Sequence, residues 1–151
     1  MAFPSSGLFV PTFVSALTGT IVLDLDLLTH KVALYTNAMT TADLTTDTAY
    51  NVGAWSTTNE VVGTGYTAGG YTLANTTFAH TAAGVVVWDN TVDPNWTTAT
   101  ISANGGLYYA DALTGNNAIV AQTFGATITS TSGTFTIQLA SGGIFSIDFV
   151  P

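Results

Sequence analysis

Along most of the chain apolar side chains recur at every second position, and small clusters of Gly, Asn, Asp and Ser interrupt them about every ten residues. A period of two is that of a strand, whose side chains alternate between faces. The pattern is cleanest near the C-terminus. Phe135, Ile137 and Leu139 alternate with Thr134, Thr136 and Gln138, and Phe145, Ile147 and Phe149 alternate with Ser146 and Asp148. With turns at Thr131-Ser132-Gly133 and Ser141-Gly142-Gly143, residues 126–149 are predicted to form a hairpin extended into a three-stranded meander. Further strands are predicted at 20–25, 31–36, 71–78, 84–88, 97–101, 107–110 and 119–124. Nine or ten short strands predict an all-β fold, a single-domain β-sandwich or jelly-roll-like architecture over residues 20–151.

The first nineteen residues read differently. Pro4 and Pro11 disfavour a central strand, so residues 1–12 are expected to extend as an arm from the sandwich. Pro11 also suits a first helical position, and Phe13, Val14 and Leu17 have helical spacing before Gly19, which allows one short helix. Residues 37–60 have little periodicity and many Thr, Asp and Asn, and are expected to be a long loop.

Composition changes the picture of the surface. Only 7% of the 151 residues are charged, 29 are Thr, and Lys31 is the sole Lys or Arg against nine acids, a net charge of −8. The surface is thus hydrogen-bonding but nearly uncharged, which suits assembly against neighbours better than solubility by self-repulsion. One cation cannot neutralise a phosphate backbone, so nucleic acid is not an expected partner. Without Cys there is no disulfide framework, thiolate metal site or cysteine nucleophile. The mean hydropathy of +0.42 comes from Ala, Val and Gly, and no run of about 18 apolar residues occurs, so no membrane partner is expected. The N-terminus lacks a cation and is broken by prolines, and no export signal is read there.

Candidate chemistry is sparse. Gly63-Thr64-Gly65-Tyr66-Thr67-Ala68-Gly69-Gly70 fits a dinucleotide fingerprint in letters, but a strand rather than a helix follows, so a tight glycine corner is expected and no cofactor. Asp89-Asn90-Thr91-Val92-Asp93 resembles half a calcium loop without its glycine or closing Glu and reads as a polar turn, with no metal assigned. Asp24 and Asp26 are expected to pair with Lys31 and His30 across a turn at Leu28-Thr29. No G-x-S-x-G elbow occurs, His30 and His80 are the only imidazoles, and no enzymatic activity is expected. The aromatics are the better candidates. Trp88 follows a valine run and reads as core, whereas Trp55 and Trp96 near loops could serve as sugar platforms or interface anchors. In Tyr108-Tyr109 at least one ring is expected to be partly exposed or at a subunit contact.

Three stretches together carry a resemblance: Phe3-Pro4-Ser5-Ser6-Gly7-Leu8-Phe9-Val10-Pro11 leading to Asp24-Leu25-Asp26 and Lys31-Val32-Ala33-Leu34-Tyr35-Thr36-Asn37; the Gly63 to Gly70 corner; and Phe124-Gly125, Gly133-Thr134-Phe135-Thr136-Ile137 and Gly142-Gly143-Ile144-Phe145. The chain resembles the small all-β virion structural proteins of tailed bacteriophages, the capsid decoration and minor structural proteins. That resemblance implies a cement protein on the virion surface, a major capsid protein as partner, and a homo-oligomer, with a trimer favoured. It implies no catalytic residue. The expected interface comprises Phe3, Pro4, Leu8, Phe9 and Pro11 of the arm with Trp55, Trp96 and Tyr109. The alternative is a tail or head-fibre module that binds carbohydrate or a receptor through Trp55, Trp96 or a tyrosine.

Overall fold

The computed structural model describes residues 3–26, 29–39, 42–81 and 83–150. In chain order the elements are β1 (Gly7–Leu8), α1 (Val10–Leu17), β2 (His30–Tyr35), a 3-10 turn (Gly53–Trp55), β3 (Tyr71–Thr72), β4 (Thr76–His80), β5 (Val85–Asn90), β6 (Asn95–Ala110), β7 (Ala118–Thr136) and β8 (Phe145–Asp148). They make two antiparallel sheets, one of order β1-β7-β6-β2-β3 and one of order β4-β5-β8. The expected all-β sandwich is therefore the fold. The short helix also forms, with Pro11 in its first turn, where the missing N–H costs no helical hydrogen bond.

Several strands differ from their expected limits. Residues 126–138 form no hairpin, because Thr131-Ser132-Gly133 is absorbed within β7 as an irregularity opposite Ala99 and Ile101. Ser132 takes φ 51° there, so the chain bulges instead of reversing. The stretches 97–101 and 107–110 belong to one strand, β6, and 119–124 runs on into β7. Residues 71–78 split between the sheets at Asn75, which has φ 61°. Residues 20–25 contain no strand, although Leu25 is buried. β8 pairs with β5 rather than with the segment before it.

Around β2, residues 107–110 of β6 and residues 118–121 of β7 the five-stranded sheet is covered on both faces. On one side Val32, Leu34, Tyr108 and Ala110 pack with Trp88 of the smaller sheet and with Trp96 and Phe135. On the other, Ala33, Tyr35, Leu107 and Tyr109 meet Phe3, Phe9, Met39 and Trp55, contributed by the arm and by the expected long loop. Alternation within β2 is hidden for this reason, since both of its faces are interior. Tyr108 and Tyr109 are likewise both buried, which corrects the expectation that one ring must be exposed.

Gly70 shows why the glycine corner is glycine. Its φ is 76°, and a Cβ there would fall on the Val32 carbonyl, so only glycine lets this turn lie against β2.

Candidate contact surface

The carboxylates of the expected charged sites are occupied by backbone. Asp24 accepts the Asp26 N–H at 3.0 Å, and Asp26 accepts the Phe78 N–H of β4. Lys31 pairs instead with Asp111 at 3.0 Å, because β2 places it opposite the end of β6. His30 is buried edge-on to Trp88 at 5.2 Å. Leu28, half of the expected turn, lies outside the described residues. Asp89 and Asn90 end β5 rather than open a turn; Asp89 accepts the Asn90 N–H at 2.8 Å and the Asn90 amide donates locally to the Val92 carbonyl, while Asp93 accepts the N–H of Leu139, 46 positions away, at 2.9 Å. Among the described residues no three His, Cys, Asp or Glu side chains converge as a metal site would need. No helix among them is long and apolar enough to cross a membrane.

The aromatic candidates turn inward. Phe3, Phe9, Trp55, Trp96 and Tyr109 are all buried, and Pro4, Leu8 and Pro11 are half-buried. Phe3, Phe9 and Tyr35 present their edges or faces to Trp55 at 5.6, 5.3 and 5.3 Å between centroids. The Trp55 indole N–H donates to Asp47 at 2.9 Å, so its one polar group is satisfied inside. Trp96 packs against Tyr66, Tyr71 and Phe135. The arm does not extend: β1 pairs with β7 at Gly7↔Ala121 and Leu8↔Val120, and the Phe3 N–H donates to Asn37. Phe3 and Phe9 are buried against Trp55, and Pro4 and Pro11 flank the two-residue strand without interrupting it. Residues 1 and 2 lie outside the described residues.

A cluster that the sequence reading passed over lies at the margin of that arm-side layer. Glu60, the only glutamate, is buried and accepts the Tyr50 hydroxyl at 2.9 Å, the Tyr66 hydroxyl at 2.5 Å and the Gly69 N–H at 2.7 Å. Tyr109 stacks on Tyr50 at 4.4 Å and donates to the Gly69 carbonyl. Burial first and the Glu60 charge second push the Tyr35 and Tyr66 hydroxyls far above the ordinary tyrosine range. Such phenols stay protonated as hydrogen-bond donors. The cluster clamps the glycine corner to the sheet. A lone Glu in a chain with six Tyr was the available signal, but no spacing rule connects them.

What remains exposed is a hydroxyl-lined face. From 99 to 104 β6 alternates cleanly, with Ala99, Ile101 and Ala103 buried and Thr100, Ser102 and Asn104 facing outward. Cross-strand partners on β7 complete three polar rungs. Asn104 donates to Thr127 at 2.8 Å, Ser102 shares a hydrogen bond with Thr129 at 2.9 Å, and Thr100 accepts the Ser132 N–H at 3.0 Å. Shallow hollows of about 290 and 280 Å³ lie beside these rungs. Beyond the Thr123 N–H, which reaches Ser6, β7 has β6 as its only strand partner among the described residues and presents an open edge there. Asp111 is the only acid or base between Asp93 and Asp148, so this edge carries no charge and no proline. Lys, Pro and inward charge are the usual protections of a sheet edge.

The chain matches no protein-family model, and comparison with curated proteins and with solved structures found no significant match.

Proposed function

We propose that the protein is a structural subunit that acts by packing against other subunits, and that its specific role is to decorate a bacteriophage capsid as a cement protein bound to the major capsid protein. The observation that carries this reading is the open edge of β7 with its hydroxyl rungs. A long strand edge without charge, proline or covering segment is a ready surface for another chain, and its bulges at residues 124–127 and at Ser132 are the only protection it has. Hydrogen-bonding hydroxyls give such a contact direction, and repeated weak contacts around a shell give it avidity. The phage assignment within this class is supported by the sequence resemblance. The carbohydrate alternative needs an exposed ring at Trp55, Trp96 or a tyrosine; both indoles are buried, and Tyr50, Tyr66 and Tyr71 are partly buried.

Purified protein mixed with phage heads that lack it should bind saturably, in constant proportion to the major capsid protein, and with little dependence on salt. Thr129→Lys, at an exposed position, should leave the melting temperature within about 2 °C and weaken head binding at least tenfold. No binding by the wild type, or undiminished binding by Thr129→Lys, would sink the proposal.

A further inference from the structure

The outer edge of β7 already carries one occupant, which shows what the edge takes. β1 lies antiparallel along it, with Gly7 opposite Ala121 and Leu8 opposite Val120, and Ser6 accepts the next outward N–H, that of Thr123. The segment is uncharged, and its two strand residues face opposite ways. Leu8 packs into the core that holds Trp88, whereas Gly7 lies on the arm side, where a Cβ would come within 2.9 Å of Leu44. Before Ser6 the arm has left the edge, with Phe3 packed on Trp55, and among the described residues no strand takes its place.

The uncovered stretch keeps the same two-sided chemistry. After its bulge at residues 124–127, β7 runs in regular register over Ile128, Thr129 and Ser130, opposite Ala103, Ser102 and Ile101, before the irregularity at Ser132. Thr129 lies on the rung face with Ser102. Ile128 lies on the core face with the buried Ala103, yet it is 46% exposed. Beside it is a hollow of about 230 Å³, lined by Phe124, Phe135 and Ile137 together with Gln122 and Gln138. All of its lining comes from β7 and the two residues that follow, none from β6, so it lies on the open side of the pair.

We propose that this stretch binds by strand addition: an extended, uncharged segment of another protein pairs antiparallel with residues 127–131, in line with β1, and seats one large apolar side chain in the hollow beside Ile128. The inference rests on the reading of the β7 edge as the contact with another subunit, and it names what that subunit presents. Main-chain hydrogen bonds supply attachment and the hollow supplies selectivity. The apolar anchor takes the face that Leu8 takes in β1, and small or hydroxyl-bearing residues meet the rungs on the other. A charged side chain in the hollow would be buried without a partner, which is costly. A second copy's β7 is the poorer occupant, because its bulges on either side of Ile128–Ser130 would have to match those of the first and each copy carries −8. Between two bulges the ladder holds only a few bonds, so each contact is weak and holds by repetition.

The test is a titration of the full chain, isotope-labelled and followed by its amide resonances, with the peptide acetyl-Thr-Ser-Thr-Leu-Thr-Ser-Thr-amide. The wild type should bind with a Kd of about 1 mM, with the largest shifts and new exchange protection at residues 127–131. Replacing the peptide's Leu by Asn, or Ile128→Asp in the protein with resonances away from the edge unmoved, should each weaken binding at least tenfold. Methylating the peptide's amide nitrogens should abolish it. Val62→Asp, at a 90% exposed position outside the hollow, should leave it unchanged. No binding by the wild type, equal binding of the methylated peptide, or binding indifferent to Ile128→Asp would overturn the proposal. Peptide-free dimers with shifts at the same amides would overturn it in favour of a second copy. Loss of peptide binding with phage heads still bound would overturn strand addition alone, whereas peptide binding without head binding would remove the capsid and support strand addition.

Discussion

The two faces of the five-stranded sheet are sealed by different means. One is covered by a second sheet, strand on strand, around Trp88. The other is covered by the arm and by residues 37–39 and 42–60, around Trp55. Both tryptophans are fully buried, yet Trp88 donates its indole N–H to the Leu25 carbonyl while Trp55 donates to a carboxylate and sits beside the Glu60 cluster. Irregular cover must satisfy its own backbone and side-chain polar groups one by one, where a sheet satisfies them by its ladder. The arm side is therefore the more polar of the two and depends on more distant pieces of chain.

Removing the arm is the most severe way to break this comparison. Deletion of residues 1–9 takes away Phe3, Phe9 and β1 and exposes Trp55, a loss of about 5 kcal/mol or more, comparable to the whole stability of a domain this size. The expected outcome in a thermal melt is loss of the cooperative transition, with tryptophan emission shifted to the red. A cooperative melt within a few degrees of the wild type would show that the arm is dispensable. Single truncations come next. Trp88→Ala and Trp55→Ala should each cost about 3–5 kcal/mol by urea unfolding, and only Trp55→Ala should also loosen residues 42–60 in hydrogen exchange.

Alkaline pH should then separate the sides by chemistry. Tyr35, Tyr50, Tyr66 and Tyr109 are all shifted upward, chiefly by burial with Glu60 contributing, and Tyr108 by burial with Asp93. Their folded-state values lie above the unfolded value of about 10, so their contribution is complete below pH 10 and falls as pH rises beyond it, by up to about 1.4 kcal/mol per unit for each fully shielded tyrosine. Denaturant midpoints measured between pH 8 and 11 should be flat to about 10 and then decline. A smaller effect is expected of Glu60→Gln, about 1–3 kcal/mol at pH 7, because an amide group replaces one acceptor among three donors. The same variant should shallow the alkaline decline.

Legibility in the sequence follows the same division. Alternation at Phe145–Asp148 and the short apolar runs in Val85–Asn90 and His30–Tyr35 located strands, because a half-buried strand alternates and one buried on both faces reads as a continuous apolar run. Residues 37–60 read as a surface loop because their cover of the sheet has no period, and so Trp55 was placed outside when it is the centre of a core. The Thr131-Ser132-Gly133 turn failed for a related reason: turn residues and bulge residues are the same residues, and only the partner strand decides between them. The candidate contact surface was half legible. Scarcity of charge pointed to a hydrogen-bonding exterior, but the rungs pair residues such as Ser102 and Thr129 that are far apart in the chain.

The pairing of β1 with β7 also sets a clock. Gly7 and Ala121 are 114 positions apart, so during synthesis the first strand emerges long before its partner. At about 5–20 residues per second that interval is roughly 6–23 s, during which Phe3 and Phe9 lack the β7 strand that holds the arm on the sheet. The arm can pair only when β7 has left the ribosome, so until then the arm-side layer stays incomplete and is a place where a stalled chain would aggregate.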